Sequence, residues 1–409
     1  MPSNQIMIIA GEPSGDNLAA DVVHEMMRRA RHGIRPRFFG LGGPRLAAAG
    51  VELLEDMTQH TVFGLYEVLQ RYQSFKKIFD RALQEAKKRQ PELVILVDYG
   101  GFNLRFAQAL RTATAQASHD FGNWNPKIAY FIPPQVWASR EGRAITMGEC
   151  IDLVISIFPF EREWYRQRVP HLKVKYVGDP MATRFGTTPT SARVESKSTL
   201  NHPRRLAILP GSRRQEIERH LPPMLEALKT LQRHEDWTAT IVTPDTALLA
   251  PYKSLAPPNV TWTEGSVEPV LRDADLALVS SGTVTRECAY LGVPTVVIYK
   301  LSWMTYQIAK RIIKVRFIAM PNLLADRMIF PELIQAAATP TAIAQELLQL
   351  CKTEDRLRVI DELEKVILSL GPPGAAARAA AELYALFERG PASLRGATST
   401  KALPPQTEP

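Results

Sequence analysis

The sequence predicts two successive α/β domains, each built on a mostly parallel sheet with helices on both faces. Two observations carry this. Short apolar runs of four to eight residues alternate with helical stretches. A strand, Gly-containing loop and helix open the chain, and the same pattern restarts after a polar segment near residue 190. The length, 409 residues, is too great for one ordinary core and suits two.

Residues 6–10 (IMIIA) read as the first buried strand, followed by a loop and a helix over 17–29. Residues 37–41, 93–99, 127–132, 152–158 and 173–178 continue the strands, with a helix-rich stretch over 66–89. Their runs are continuously apolar rather than alternating, as in strands covered on both faces. Composition turns polar over 185–204. This places an N-terminal domain at 1–190, a linker at 191–204 and a C-terminal domain at 205–370. In the second domain, 205–213 is strand then Gly loop, a helix runs to about 233, and ATIVTP, NVTWTEG, DLALVSSG and PTVVIY supply strands. An Ala-rich helix lies within 371–390, and the polar, Pro-rich stretch 391–409 reads as a disordered tail. Ligands in such folds bind at the C-terminal ends of strands, so a cleft between the domains is the expected site.

Composition narrows the function. Cys150, Cys288 and Cys351 are widely separated and make neither a disulfide framework nor a zinc site. The eight histidines are scattered, and no metal is expected. No apolar run approaches the ~20 residues that span a bilayer, and the N-terminus lacks a signal-peptide pattern. A cytoplasmic protein is expected, at most lying on a membrane. A formal charge of +8 suits anionic partners such as phosphorylated substrates or lipid surfaces. The basic residues are spread out and no nucleic-acid motif is present, so nucleic acid is not an expected partner.

Four strand-end loops hold the candidate chemistry. LPGSRRQE places Gly211, Ser212 and Arg213 between a buried strand and a helix, where backbone N–H groups and a guanidinium can meet a phosphate. VSSGTVTRE repeats the design with Ser281, Gly282 and Thr283, and puts Glu287 one turn into the helix, where a carboxylate can accept from ribose hydroxyls. Alone, each loop reads equally well as an ordinary capped turn; two in one domain favour a nucleotide. AGEPSGD brings Glu12 and Ser14 to the first strand end, and its acidic residues suit sugar hydroxyls better than phosphate. There, Asp16 reads equally as a helix cap. Asp98 ends the run LVILV, where a carboxylate facing a cleft suits a general base and a turn residue alike. Asp273-Ala274-Asp275 has a DxD pattern but abuts a buried strand, and reads as a connection rather than a metal site. Two segments mix apolar and basic residues: 63–79, with Phe63, Tyr66, Phe75 and Phe79, and 303–317 around Lys310, Arg311 and Lys314. Either suits an anionic lipid surface or a helix facing the core.

In order, AGEPSGD, FGLGGP, VFGLYEVL, VDYGGFN, PPQVWA, FPFE, VGDP, LPGSRRQE, SSGTVTRE and MPNLLA resemble the lipid-A-disaccharide synthase family, from about Ile6 to Leu370. The resemblance implies a GT-B fold of two Rossmann-like domains facing across a cleft. It also implies an inverting transfer from UDP-2,3-diacylglucosamine to 2,3-diacylglucosamine 1-phosphate (lipid X) at the inner face of the cytoplasmic membrane of Gram-negative bacteria. No obligatory cofactor is implied, and a homodimer is left open. It makes Asp98 the candidate base and Glu12 the second acidic candidate. It assigns Arg213 to the diphosphate, Ser281, Gly282, Thr283 and Glu287 to UDP, and Asn322 to the donor side of the cleft. The 63–79 segment is the first choice for acyl chains and membrane, with 303–317 second. Three positions depart from the family pattern. Gly100 stands where Pro is usual, which is expected to loosen the backbone at the base. Ser139 stands where a second Trp is common. Asp179 stands where His or Asn is usual, and its charge would disfavour a nearby diphosphate. A UDP-sugar 2-epimerase or a non-catalytic nucleotide-sugar-binding protein are the alternatives.

Overall fold

A computed structural model of the chain describes residues 4–30, 35–60, 65–116, 124–186 and 203–388. Most of the expected linker and all of the expected tail therefore lie outside the described residues. In the N-terminal domain the strands are β1 (Gln5–Ala10), β2 (Arg37–Gly42), β3 (Glu52–Asp56), β4 (Leu93–Val97), β5 (Lys127–Phe131), β6 (Leu153–Ser156) and β7 (Lys173–Tyr176). They form one parallel sheet in the order β3-β2-β1-β4-β5-β6-β7. The helices are α1 (Pro13–Arg29), α2 (Pro44–Ala48), α3 (Leu65–Arg89), α4 (Gly100–Gln116), α5 (Val136–Ser139), α6 (Gly142–Cys150), α7 (Glu161–Arg168) and α8 (Met181–Phe185).

The period of two along each strand sorts the core into two layers. Ile6, Ile8 and Ala10 of β1, with Leu93, Ile95 and Val97 of β4, face Ala19, Val22, Val23 and Met26 of α1. Met7 and Ile9, with Val94 and Leu96, face Ile78, Ala82 and Ala86 of α3 and Phe106 and Leu110 of α4. Both faces are apolar because both are covered.

The second domain repeats the plan with β8 (Arg204–Leu209), β9 (Trp237–Thr243), β10 (Val260–Glu264), β11 (Leu276–Ser280), β12 (Thr295–Tyr299) and β13 (Glu332–Ile334), in the order β10-β9-β8-β11-β12-β13. Its helices are α9 (Arg214–Gln232), α10 (Glu268–Asp273), α11 (Val284–Tyr290), α12 (Trp303–Ile312), α13 (Met320–Ala325), α14 (Pro340–Cys351) and α15 (Thr353–Ser369). Asp273 and Asp275 both engage Arg205 at the start of β8, as their position before a buried strand suggests. The last helix, α16 (Ala375–Glu388), crosses back and packs on α1 of the first domain. Arg378 pins the crossing by donating to the Val177 carbonyl at 2.7 Å.

Both sheets reverse their winding direction once, between β1 and β4 and between β8 and β11. Loops diverge at such switch points and leave a crevice at the C-terminal strand ends. The four loops singled out in the sequence follow these four strands.

Candidate active site

The loop after β1 carries Glu12, that after β4 carries Asp98, that after β8 carries Arg213, and that after β11 carries Ser281 to Thr283. Residues of both domains share one space. Burial and then the charge of Asp98 push the Glu12 carboxyl above its ordinary value, and Arg213 of the other domain opposes them. Glu12 precedes α1 without using its side chain as a cap, so its carboxylate is free to point elsewhere. Ser14 is exposed on the first turn. Asp16 is buried and caps a different helix: it accepts from the N–H groups of Gly43 (2.8 Å), Arg45 (2.9 Å) and Leu46 (3.2 Å) at the start of α2.

Asp98 and Tyr99 both adopt left-handed backbone, with φ of 49° and 51°. Each such residue costs about 1–3 kcal/mol, and persists only when its surroundings dictate it. Here they do. The Asp98 N–H donates to Phe131 O at 3.0 Å. Its carbonyl accepts from Asn103 Nδ2 at 2.7 Å and from the Tyr130 hydroxyl at 2.9 Å. The Tyr99 ring lies against Gly11, where a Cβ would stand 2.2 Å from it. This turn ends β4 two residues earlier than expected and swings the Asp98 carboxyl out of the strand. Burial raises the Asp98 carboxyl, while a hydrogen bond from the Tyr99 backbone and the charge of Arg286 lower it. Burial and the charge of Glu12 push the Tyr99 phenol up to about 12.

At Gly100 the structure shows a close approach. A Cβ there would stand 2.6 Å from Pro134 Cβ, so the glycine permits close packing at a turn fixed from three sides. Asp179 departs from expectation. It is fully buried, and its carboxylate pairs with Arg286 Nη1 at 3.0 Å and accepts from Met181 N at 3.0 Å. Its charge is matched within the protein.

On the donor side, Arg213 is exposed and makes only a loose 3.8 Å contact with Glu216. The adjacent amides behave differently from expectation. Glu216 Oε2 accepts from Ser212 N (3.1 Å) and Arg213 N (3.3 Å), as the acidic half of a capping box. The Gly211 loop (φ 119°) thus has the Ser212 and Arg213 N–H groups already facing a carboxylate, and the Arg213 guanidinium is an exposed positive group beside them. Ser281 donates to Ile318 O at 2.8 Å; Gly282 and Thr283 are exposed. Glu287 is half-buried, with one buried oxygen that has no partner among the described residues, and burial raises its carboxyl. That oxygen has hydrogen-bonding capacity left over. Asn322 is fully engaged inside the protein. Its Nδ2 donates to Phe330 O and Glu332 Oε1, and its Oδ1 accepts from Ile329 N and Phe330 N. It ties α13 to β13 and offers no free amide to a donor.

Sequence reading missed several contributors. Asn103 and Tyr130 position Asp98. Glu161 is buried, accepts from Trp137 Nε1 at 3.0 Å, and is pushed by burial to about 7. His220 is buried: Nδ1 donates to Pro210 O and Nε2 accepts from Lys300 N, each at 2.9 Å, fixing a neutral ring under the Arg213 loop. Only the FPFE and PGSR motifs around them hinted at these two.

The two amphipathic segments differ in how far the protein covers them. Phe63 and the side chain of Tyr66 lie outside the described residues. Phe79 packs edge-on against Phe102 (5.3 Å) and Phe106 (5.6 Å) of α4, and half-buried Phe75 joins the same cluster. These two rings are half-buried against the protein. By contrast, α12 has no buried residue: Trp303 is 75%, Met304 71% and Ile308 57% exposed. No helix among the described residues is long and apolar enough to cross a membrane.

The model of the family described as lipid-A-disaccharide synthetase matches residues 6–380. The chain belongs to this family. It is 37% identical over 393 residues to the lipid-A-disaccharide synthase of Anaeromyxobacter dehalogenans, covering 94% of this chain and 98% of that protein. It is 35% identical over 394 residues to that of Myxococcus xanthus, with the same coverage. Among solved structures, the calicheamicin glycosyltransferase CalG4 aligns with a TM-score of 0.54 at 16% identity, covering 94% of this chain and 98% of that one. The UDP-GlcNAc 2-epimerase of Neisseria meningitidis, solved with UDP-GlcNAc, aligns with a TM-score of 0.58 at 11% identity, covering 93% and 99%. These two establish the shared two-domain GT-B fold. Membership of the family makes the chain a glycosyltransferase of lipid A synthesis.

Proposed function

We propose that the chain transfers 2,3-diacylglucosamine from UDP-2,3-diacylglucosamine to 2,3-diacylglucosamine 1-phosphate, with inversion. The observation that carries this is that the Glu12 carboxyl feels the charge of Asp98 in its own domain and of Arg213 in the other. Asp98 takes the proton of the acceptor 6-hydroxyl as that oxygen bonds to the anomeric carbon. The bond from that carbon to the β-phosphate oxygen breaks and UDP leaves with the electron pair. Arg213 stabilises the charge that develops there. Asp98 is favoured over Glu12 as base because its backbone is pinned and it is the more enclosed. Glu12 orients sugar hydroxyls, and Glu287 holds the ribose.

The decisive assay is mass spectrometry of the two lipids in mixed micelles, with and without EDTA. Disaccharide 1-phosphate and UDP are expected together. An epimer formed from donor alone, or UDP bound with no disaccharide, would overturn the reading; dependence on added metal would revise the role given to Arg213.

The lipid surface falls to α12. Met304, Ile308 and Ile312 recur at every fourth residue, one stripe of the helix, and Lys310 and Arg311 end it. Lys314 fixes the segment to the first domain through Ala138 O (3.0 Å) and Glu141 (2.9 Å), so the stripe flanks the junction of the two domains. Apolar side chains rimmed by cations suit an anionic bilayer surface. Trp303→Glu with Ile308→Glu should cut co-sedimentation with phosphatidylglycerol vesicles about tenfold or more and leave the circular dichroism unchanged. Equal sedimentation would reject this surface.

A further inference from the structure

Among the described residues, three arginines of the first domain have no acid to pair with. Arg105 lies on α4, Arg140 follows α5 and Arg143 begins α6. The Arg143 N–H donates to Arg140 O at 2.9 Å, so these two share one turn, and α6 packs on α4, which brings in Arg105. Among the described residues none of the three side chains makes an ion pair or hydrogen bond. The nearest acid in sequence, Glu141, is turned toward Lys314 (2.9 Å) and Arg168 (3.6 Å). Burial, then Arg140, then Arg105 hold the Arg143 guanidinium below its usual value. Arg105 and Arg140 are exposed and Arg143 is half-buried; solvent screens part of their mutual repulsion, a bound anion would relieve the rest, and guanidinium forks suit phosphate oxygens.

The location narrows which anion. Arg143 interacts with Tyr130, and Tyr130 is bonded to the backbone of Asp98. The cluster therefore neighbours the proposed base and belongs wholly to the first domain, whereas the donor loops belong to the second. We propose that Arg105, Arg140 and Arg143 bind the phosphate monoester of the acceptor. This rests on the acceptor reading given above, in which the 1-phosphate and the 6-hydroxymethyl sit on the two carbons that flank the ring oxygen. Base and phosphate site must then be neighbours, not the same place. The trio selects a phosphorylated acceptor and fixes the ring so that its 6-hydroxyl meets Asp98.

The test combines binding and kinetics on the full chain. Wild type, each Arg→Gln variant, the triple variant and an Arg→Lys triple variant are titrated with glucosamine 1-phosphate and with glucosamine. The triple Gln variant should lose the monoester and the Lys variant recover part of it. In the assay, its KM for the phosphorylated acceptor should rise about tenfold or more, with donor KM unchanged. The preference of wild type for phosphorylated over dephosphorylated acceptor should collapse. Equal losses on both acceptors would overturn the proposal. So would retained glucosamine 1-phosphate binding with loss only of phosphatidylglycerol vesicle binding, which would assign the cluster to lipid headgroups. If wild type forms no disaccharide, the reaction reading fails and the titration alone decides whether the trio is a phosphate monoester site.

Discussion

Asp98→Asn should cut turnover by about 10²–10⁴-fold, the usual worth of a general base, while UDP binds as before. The substitution is well matched to the site. Asparagine tolerates left-handed backbone, the Asp98 backbone is held by Phe131 O, Asn103 Nδ2 and the Tyr130 hydroxyl, and an asparagine Oδ1 can still accept the bond that the Tyr99 backbone gives the carboxyl. A loss in the variant therefore reads out the carboxylate. The pH dependence follows from the same burial. A base must be ionised, and the Asp98 carboxyl lies above its ordinary value. In wild type, kcat/KM should fall as pH drops through that raised value, above the range of an ordinary aspartate. In Asp98→Asn this acid limb should vanish. Stability has the opposite sign. A carboxyl raised on folding binds its proton more tightly in the native state, so its stabilising contribution is present at low pH and lost as pH rises through the raised value. At neutral pH the buried carboxylate is a cost, and Asp98→Asn should melt no lower than wild type. Unchanged turnover would remove Asp98 from the mechanism; a lower melting temperature would show that the turn depends on the carboxyl.

The sheets were legible because their strands are continuous apolar runs, and those runs are what a sheet covered on both faces demands. The edges were not. ELLED in β3 is half charged and lies at a sheet edge, and ELI in β13 is only three residues long. The end of β4 was placed two residues late, because propensity carries no trace of the left-handed turn at Asp98 and Tyr99. Loop positions were readable from Gly, Ser and Thr after apolar runs, but the use of each side chain was not. Asn322 sits in a recognisable motif and still spends its amide inside the protein. Arg286 pairs with a residue 107 positions away, beyond any local pattern. The segments 63–79 and 303–317 have the same amphipathic character. What separates them is the cover that α4 gives Phe79 and that α12 lacks.

Arg286→Met should destabilise the fold by about 3–5 kcal/mol, as should Asp179→Leu, because either leaves a buried charge without its partner. The pair spans the two domains, with the Asp179 side chain 1% and that of Arg286 15% exposed. The guanidinium also lies over the Phe158 ring, 5.6 Å from its centroid, so little water can reach it. The double variant Arg286→Met with Asp179→Leu should recover most of the loss, since replacing a whole buried pair by apolar groups is often near neutral. Urea midpoints of the four proteins measure this, and simple additivity of the two losses would refute the pairing. Stability is only half of the expected result. Arg286 is the cation that opposes the effect of burial at Asp98, and it belongs to α11, directly after the loop of Gly282 and Thr283. Without it the acid limb of kcat/KM should move to higher pH, and the double variant should keep that shift while regaining stability. Rescue of the melt without rescue of the pH profile would separate holding the domains together from keeping the base ionised. Arg286 does both because the residue that locks the donor loop onto the first domain does so beside the carboxylate that must take the acceptor's proton.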